Sequence, residues 1–188
     1  MGSLKSLAAR CRYWVKAGMS RSDIVKSIAT GLTVLKKETY LQMIRNSPGT
    51  ELFRSMFVSF NNSEEVDILR DGDYSCAFFV SSILRLCGMQ SRTHTTVKSV
   101  REVLLYSGDW DQVTGPGACV EPGDVVIWEK IQFEDGSENE HIGFALSRTE
   151  AVSTSYKEKK VVRHHLTSGI NHDGSPIRRV IAVFRYKF

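Results

Sequence analysis

The sequence predicts an α+β fold in which helices come first and strands follow. Up to residue 107 the apolar residues recur every three or four positions, the period of a helix with one buried face. From Glu121 onward they instead alternate or run in short blocks bounded by turn residues, as strands do. These blocks are joined by short connections, which implies antiparallel neighbours rather than parallel strands with long crossovers. A chain of 188 residues, 41% hydrophobic and 24% charged, is long enough for one globular domain with a sizeable core and a small helical extension.

Residues 4–43 read as two or three helices, with Ile24, Ile28, Leu32 and Leu35 on one stripe. Ser-Pro-Gly at 47–49 breaks the pattern, and 52–60 suits a short helix or an extended arm. A boundary near residue 60 separates this N-terminal segment, 1–60, from a main domain, 61–188.

The stretch "DGDYSCAFFVSSILRLCG" at 71–88 reads as a helix apolar on all sides. Cys76, Val80, Ile83 and Cys87 share a stripe, while Phe78, Phe79, Leu84 and Leu86 cover the other faces, so the helix is expected to be buried. Asp71, Gly72, Asp73 and Ser75 are turn and N-cap residues, which puts Cys76 in the first turn. There the unpaired backbone N–H groups and the positive dipole end favour an anion, a position suited to a thiolate. The plainer reading makes Cys76 the first core residue of its stripe, as Cys87 is expected to be.

Residues 95–107 read as the next helix. "EPGDVVIWEK" then gives a turn, with Pro122 and Gly123 at its centre, and a strand whose run Val125 to Trp128 is buried. "HIGFALS", "EAVSTS", "KVVRHHL" and "RRVIAVFRYKF" supply the remaining strands of a meander-like antiparallel sheet of about five. His141 opens its strand and shares a face with Gly143 and Ala145, and this small face allows close approach of the cysteine-bearing helix.

Cys11, Cys76, Cys87 and Cys119 contain no CxxC pair and no ligand cluster, so no structural metal and no cofactor are expected. On one helix Cys76 and Cys87 stand about 16 Å apart, beyond disulfide reach. No run approaches a membrane span, and no signal peptide is visible. The net charge of +4 is modest but concentrated early, at Lys5, Arg10, Arg12, Lys16 and their neighbours. A solvated helix face explains this better than nucleic-acid binding, because no reader motif accompanies it. The same charge suits attraction to an anionic polymer such as a cell wall.

Three ordered blocks resemble the NlpC/P60 cysteine peptidases, relatives of the CHAP enzymes with a papain-like fold. "SCAFFVSSILRLCGM" lies over the family's "DCSGFVSYVYRKAGI" without a gap, "PGDVVIW" matches the turn and strand that follow, and "HIGFALSRTEAVSTS" matches "HVGIYLGNGQFVHAS". The resemblance implies Cys76 as nucleophile, His141 as general base and Ser153 as the third, orienting residue, with His164 and His165 as rivals for that third place. It departs from the family at Ser75, where an Asp is usual, at Ala77 and Phe78 in place of Ser-Gly, and at Ser153 itself, where a histidine is usual.

What the resemblance implies is a cysteine hydrolase of amide bonds, acting on peptidoglycan stem peptides as endopeptidase or amidase and therefore secreted or wall-associated. An inactive binding module of the same fold, or a Cys-His hydrolase or acyltransferase acting on a non-wall protein, are the alternatives. The sequence leaves the oligomeric state open. Residue types favour a register in which Ala151, Ser153 and Ser155 continue the small face beneath the helix, with Val152 on the side of Ile142, Phe144 and Leu146. In that register the Ser153 hydroxyl meets the imidazole nitrogen turned away from Cys76.

Overall fold

The computed structural model describes residues 33–59, 61, 64–114, 119–132, 136 and 138–188. The helices expected before residue 33, and Cys11, lie outside the described residues. Lys36–Phe188 forms one compact unit, so residues 36–60, read from sequence as part of an N-terminal segment, belong to the same body as the strands.

In chain order the elements are α1 (Lys36–Asn46), β1 (Phe57–Ser59), β2 (Glu65–Asp67), α2 (Cys76–Leu86), α3 (Val97–Tyr106), β3 (Trp110–Gln112), β4 (Val125–Gln132), β5 (Glu138–Ala145), β6 (Glu150–Ser155), β7 (Lys160–His165) and β8 (Val180–Tyr186). The architecture is α+β. β1 and β2 form a separate antiparallel pair, and the other strands make a six-stranded antiparallel sheet in the order β3-β8-β4-β5-β6-β7.

The sheet differs from the expected five-stranded meander in two ways. β4 to β7 do form a meander, but β8 returns to the free edge of β4 and β3 adds outside β8. Val125 to Trp128 of β4 are fully buried, as suits a central strand paired on both sides. β3 is only three residues long, too short to register as a pattern.

The two faces of the sheet are packed differently. One face presents Val125, Ile127, Ile142, Phe144 and Val152 to Phe79, Val80 and Ile83 of α2 and to Tyr40 of α1. Aromatic rings interlock there, with Phe79 and Phe144 centroids 5.5 Å apart and Tyr40 and Phe144 centroids 5.8 Å apart. Each such ring fully removed from water contributes about 1.5–3 kcal/mol. The opposite face carries Val126, Trp128, Ala145, Ala151 and Leu166.

At the turn into β4, Asp124 N–H bonds the Glu121 carbonyl at 3.1 Å and Gly123 has φ +93°. A side chain at Gly123 would also meet Leu41 Cδ2 at 2.8 Å, so glycine is required there both by conformation and by space.

Candidate active site

The turn that delivers Cys76 is fixed before the helix begins. Asp67 accepts the N–H groups of Met56, Leu69 and Asp71 at 2.9–3.0 Å, and Arg70, Asp71 and Gly72 all have positive φ, reversing the chain. From outside, Arg54 bonds Asp71 and Lys159 bonds Asp73. Ser75 holds the N-cap position, yet its hydroxyl donates to the Gly72 carbonyl at 2.9 Å and does not cap the helix. The first N–H groups of α2 are thereby left open to another acceptor. Those of Cys76 and Ala77 favour the anionic form of the Cys76 sulfur.

The pairing of β5 with β6 is short. The β5–β6 ladder holds only at Phe144 opposite Val152 and Ala145 opposite Ala151. Ala145 exchanges bonds with Gly123 and Asp124 on the β4 side, whereas Leu146 N–H bonds Glu150 on the β6 side. By alternation, Ile142 N–H points toward β6 but beyond the end of that ladder. It favours the anionic form of the Cys76 sulfur. The backbone of the residue directly after His141 therefore bears on the thiol's charge state.

On the other face of the sheet three side chains form a chain of hydrogen bonds. His141 Nε2 lies 2.8 Å from Ser153 Oγ, and Ser153 Oγ lies 2.8 Å from His164 Nε2. His164 Nδ1 is 2.8 Å from the His165 carbonyl, which can only accept. This fixes the directions: His164 Nδ1–H donates to the carbonyl, its bare Nε2 accepts the Ser153 hydroxyl proton, and the Ser153 oxygen accepts His141 Nε2–H. His141 Nδ1 is left with its lone pair. Trp128 stands against both imidazoles, 5.5 Å from each ring centroid, and is itself anchored by Nε1–H donating to the Leu166 carbonyl at 2.6 Å.

Ser153 and His141 thus share a face, and five residues, 146–150, separate the paired Ala145 and Ala151, the odd number that this register needs. His165 turns away to Thr167 at 2.9 Å, and His164 sits behind Ser153 rather than in its place. The small face does not lie beneath the helix as expected. α2 packs on the bulky Ile142 and Phe144 face, and the small residues make room for other neighbours. A Cβ on Gly143 would stand 2.4 Å from the Val152 carbonyl oxygen, 2.9 Å from Ser153 Cβ and 3.1 Å from the Trp128 ring. β5 also starts three residues before His141, so this histidine is inside its strand rather than at its opening.

The electrostatics correct the expectation of a resting thiolate. Burial pushes the Cys76 thiol up, and the N–H groups of Ile142, Ala77 and Cys76 together with the Arg178 guanidinium offset this only in part. Burial, followed by the positive charge of Arg178 and by His164, pushes His141 down to about 3. His164 is also lowered, chiefly by burial. At neutral pH the pair is thiol and neutral imidazole. Cys87, expected in the core, is the half-buried C-cap of α2, with its sulfur 3.5 Å from Met43 Sδ, because the helix ends there and turns outward. Cys119 is exposed, and Cys76, Cys87 and Cys119 are all free thiols.

Sequence reasoning passed over Trp128 as one of a buried run and did not weigh Arg178 at all. The signal for Trp128 is its register, directly opposite His141. Arg178 lies in the connection before β8 and has no sequence pattern of its own. Among the described residues no His, Cys, Asp and Glu side chains group to hold a metal ion, and no helix is long and apolar enough to cross a membrane. Comparison with protein-family models and with curated proteins finds no match to this chain.

Proposed function

We propose that this protein is a cysteine hydrolase of amide bonds, of the NlpC/P60-like type with a papain-like fold, and that its substrates are peptidoglycan stem peptides. The observation that carries the reading is the placement of Cys76 at an uncapped helix N-terminus, together with a His141 whose Nε2 is tied to Ser153.

In the proposed reaction His141 Nδ1 takes the Cys76 proton as the sulfur attacks the amide carbonyl, and N–H groups at the start of α2 stabilise the oxyanion. The imidazolium then gives its proton to the leaving amine, the C–N bond breaks and a thioester remains. His141 next removes a proton from water, whose oxygen attacks the thioester; the C–S bond breaks, the acid leaves and the thiol is restored. Ser153 accepts the Nε2–H throughout, so it keeps the tautomer that this cycle requires and orients the ring. It adds no negative charge, and His164 behind it fixes which way its hydroxyl points. Only modest help for the imidazolium follows, which agrees with a neutral resting pair.

Incubation of the full chain with purified stem peptides, read by mass spectrometry, tests the reading. The expected result is a product pair heavier than the substrate by one water in sum, absent with Cys76→Ser. Intact peptides at equal levels with both proteins would sink it. One observation favours the inactive module: among the described residues the imidazole is bonded to Ser153, and no hydrogen bond joins it to the Cys76 sulfur. Catalytic contacts often tighten only with substrate bound, so activity rather than resting geometry decides between the two.

A further inference from the structure

Arg178 is 9% exposed, and two of its three nitrogens are held by main-chain carbonyls: Nε donates to Glu129 at 3.0 Å and Nη2 to Asn139 at 3.0 Å. Both carbonyls flank the irregular stretch where the β4–β5 register shifts between Trp128 and Ile131, beside the Trp128 and His141 pair. The nearest acid is already committed, because the Glu129 carboxylate takes Arg179 N–H at 2.8 Å and Arg179 Nε at 2.8 Å. Among the described residues no carboxylate forms an ion pair with Arg178. The Glu129 carboxylate offsets the charge of this largely buried cation through space, but it is bonded to Arg179, so one carboxylate serves two guanidinium groups, and two carbonyl dipoles compensate the rest only in part. If the bulge needed donors alone, a neutral side chain would serve. The charge of Arg178 is felt by three groups of the site, Cys76, His141 and His164.

We infer that Arg178 is an anion-recognition residue of this site: the substrate carries a carboxylate close to the scissile amide, and the Arg178 guanidinium receives it. The inference rests on Cys76 being the reactive group, as proposed above, and it narrows the substrate to amides with a neighbouring carboxylate. A carboxylate supplied by the substrate completes the charge balance that the protein leaves open, and the planar guanidinium suits it better than an ammonium would.

Alkylation of Cys76 tests this without requiring turnover. The rates with iodoacetate and iodoacetamide are measured residue by residue in the full chain, with exposed Cys119 as the internal reference. The expected iodoacetate-to-iodoacetamide ratio is higher at Cys76 than at Cys119, falls about tenfold in Arg178→Gln, and is largely kept in Arg178→Lys. In the unsubstituted protein N-acetylglycine should slow iodoacetamide at Cys76, and N-acetylglycinamide should not, a comparison that needs no variant to fold. A ratio at Cys76 equal to that at Cys119, or equal protection by the acid and its amide, overturns the inference and leaves the hydrolase reading standing. Cys76 inert to both reagents would end both.

Discussion

At its N-terminal end α2 turns the Cys76 sulfur toward open N–H groups, the N–H of Ile142 and the charge of Arg178; at its C-terminal end the Cys87 sulfur meets Met43 Sδ and the field of Lys36. Both thiols are half-buried, and burial raises both. Burial therefore does not distinguish them. What differs is the supply of backbone donors: the N-terminal end has N–H groups that favour an anion at sulfur, and the C-terminal end has none. A helix offers N–H groups at one end and carbonyls at the other, so only the first can stabilise an anion forming on sulfur or on a substrate oxygen.

The most direct way to break this contrast is to remove the members of the favoured end. Cys76→Ser and His141→Ala should each lower stem-peptide hydrolysis by at least about a thousandfold, and the double variant should lose little more, because the two act as a unit. Turnover near the unsubstituted level in either single variant would erase the distinction between the ends.

Acid pH probes the same histidine through stability. In the unfolded chain it titrates near its ordinary value of 6.5, and in the folded protein at about 3. Between these values the unfolded chain binds a proton that the folded one refuses, so stability is complete above about 6.5 and falls as pH drops toward 3. The expected loss is no more than about 5 kcal/mol. Urea unfolding at several pH values should show this slope, and His141→Ala should flatten it.

Gly143→Ala forces a Cβ to within 2.4 Å of the Val152 carbonyl, a backbone atom that cannot yield cheaply. A destabilisation of about 3 kcal/mol is expected by thermal or urea unfolding, together with displacement of Ser153. Ser153→Ala should lower kcat about 10–100-fold with a smaller change in KM, and His164→Gln about tenfold, since it acts only through Ser153. Equal losses in the two would make His164 a direct partner of His141. The smallest effect belongs to the unfavoured end: Cys87→Ser should keep activity within about twofold. A larger fall would show that the C-terminal thiol matters to the chemistry.

The largely buried character of α2, from which its last turn departs with Leu86 65% exposed, its start at Cys76, the turn at Gly123 and the strands β4 to β8 were legible in the sequence, because each depends on contacts between near neighbours: periodicity, turn chemistry and alternation. Residue types also carried the register that puts His141 and Ser153 on one face, since a small and a bulky residue alternate along both strands. Alternation says which residues share a face, but it does not say which face a helix will cover, and so the helix was expected on the small side and lies on the bulky one. The return of β8 to the edge of β4, the early end of the β5–β6 ladder, and the arrival of Arg178 at the Glu129 and Asn139 carbonyls all join residues far apart in the chain. Such contacts are chosen by the packing of the whole body, in which buried groups must find partners wherever the fold brings them. The sequence determined which side chains are the candidates for the chemistry; only the tertiary structure decided their charge states, because burial holds Cys76 and His141 neutral, with the distant Arg178 cation adding to this at His141 and opposing it at Cys76.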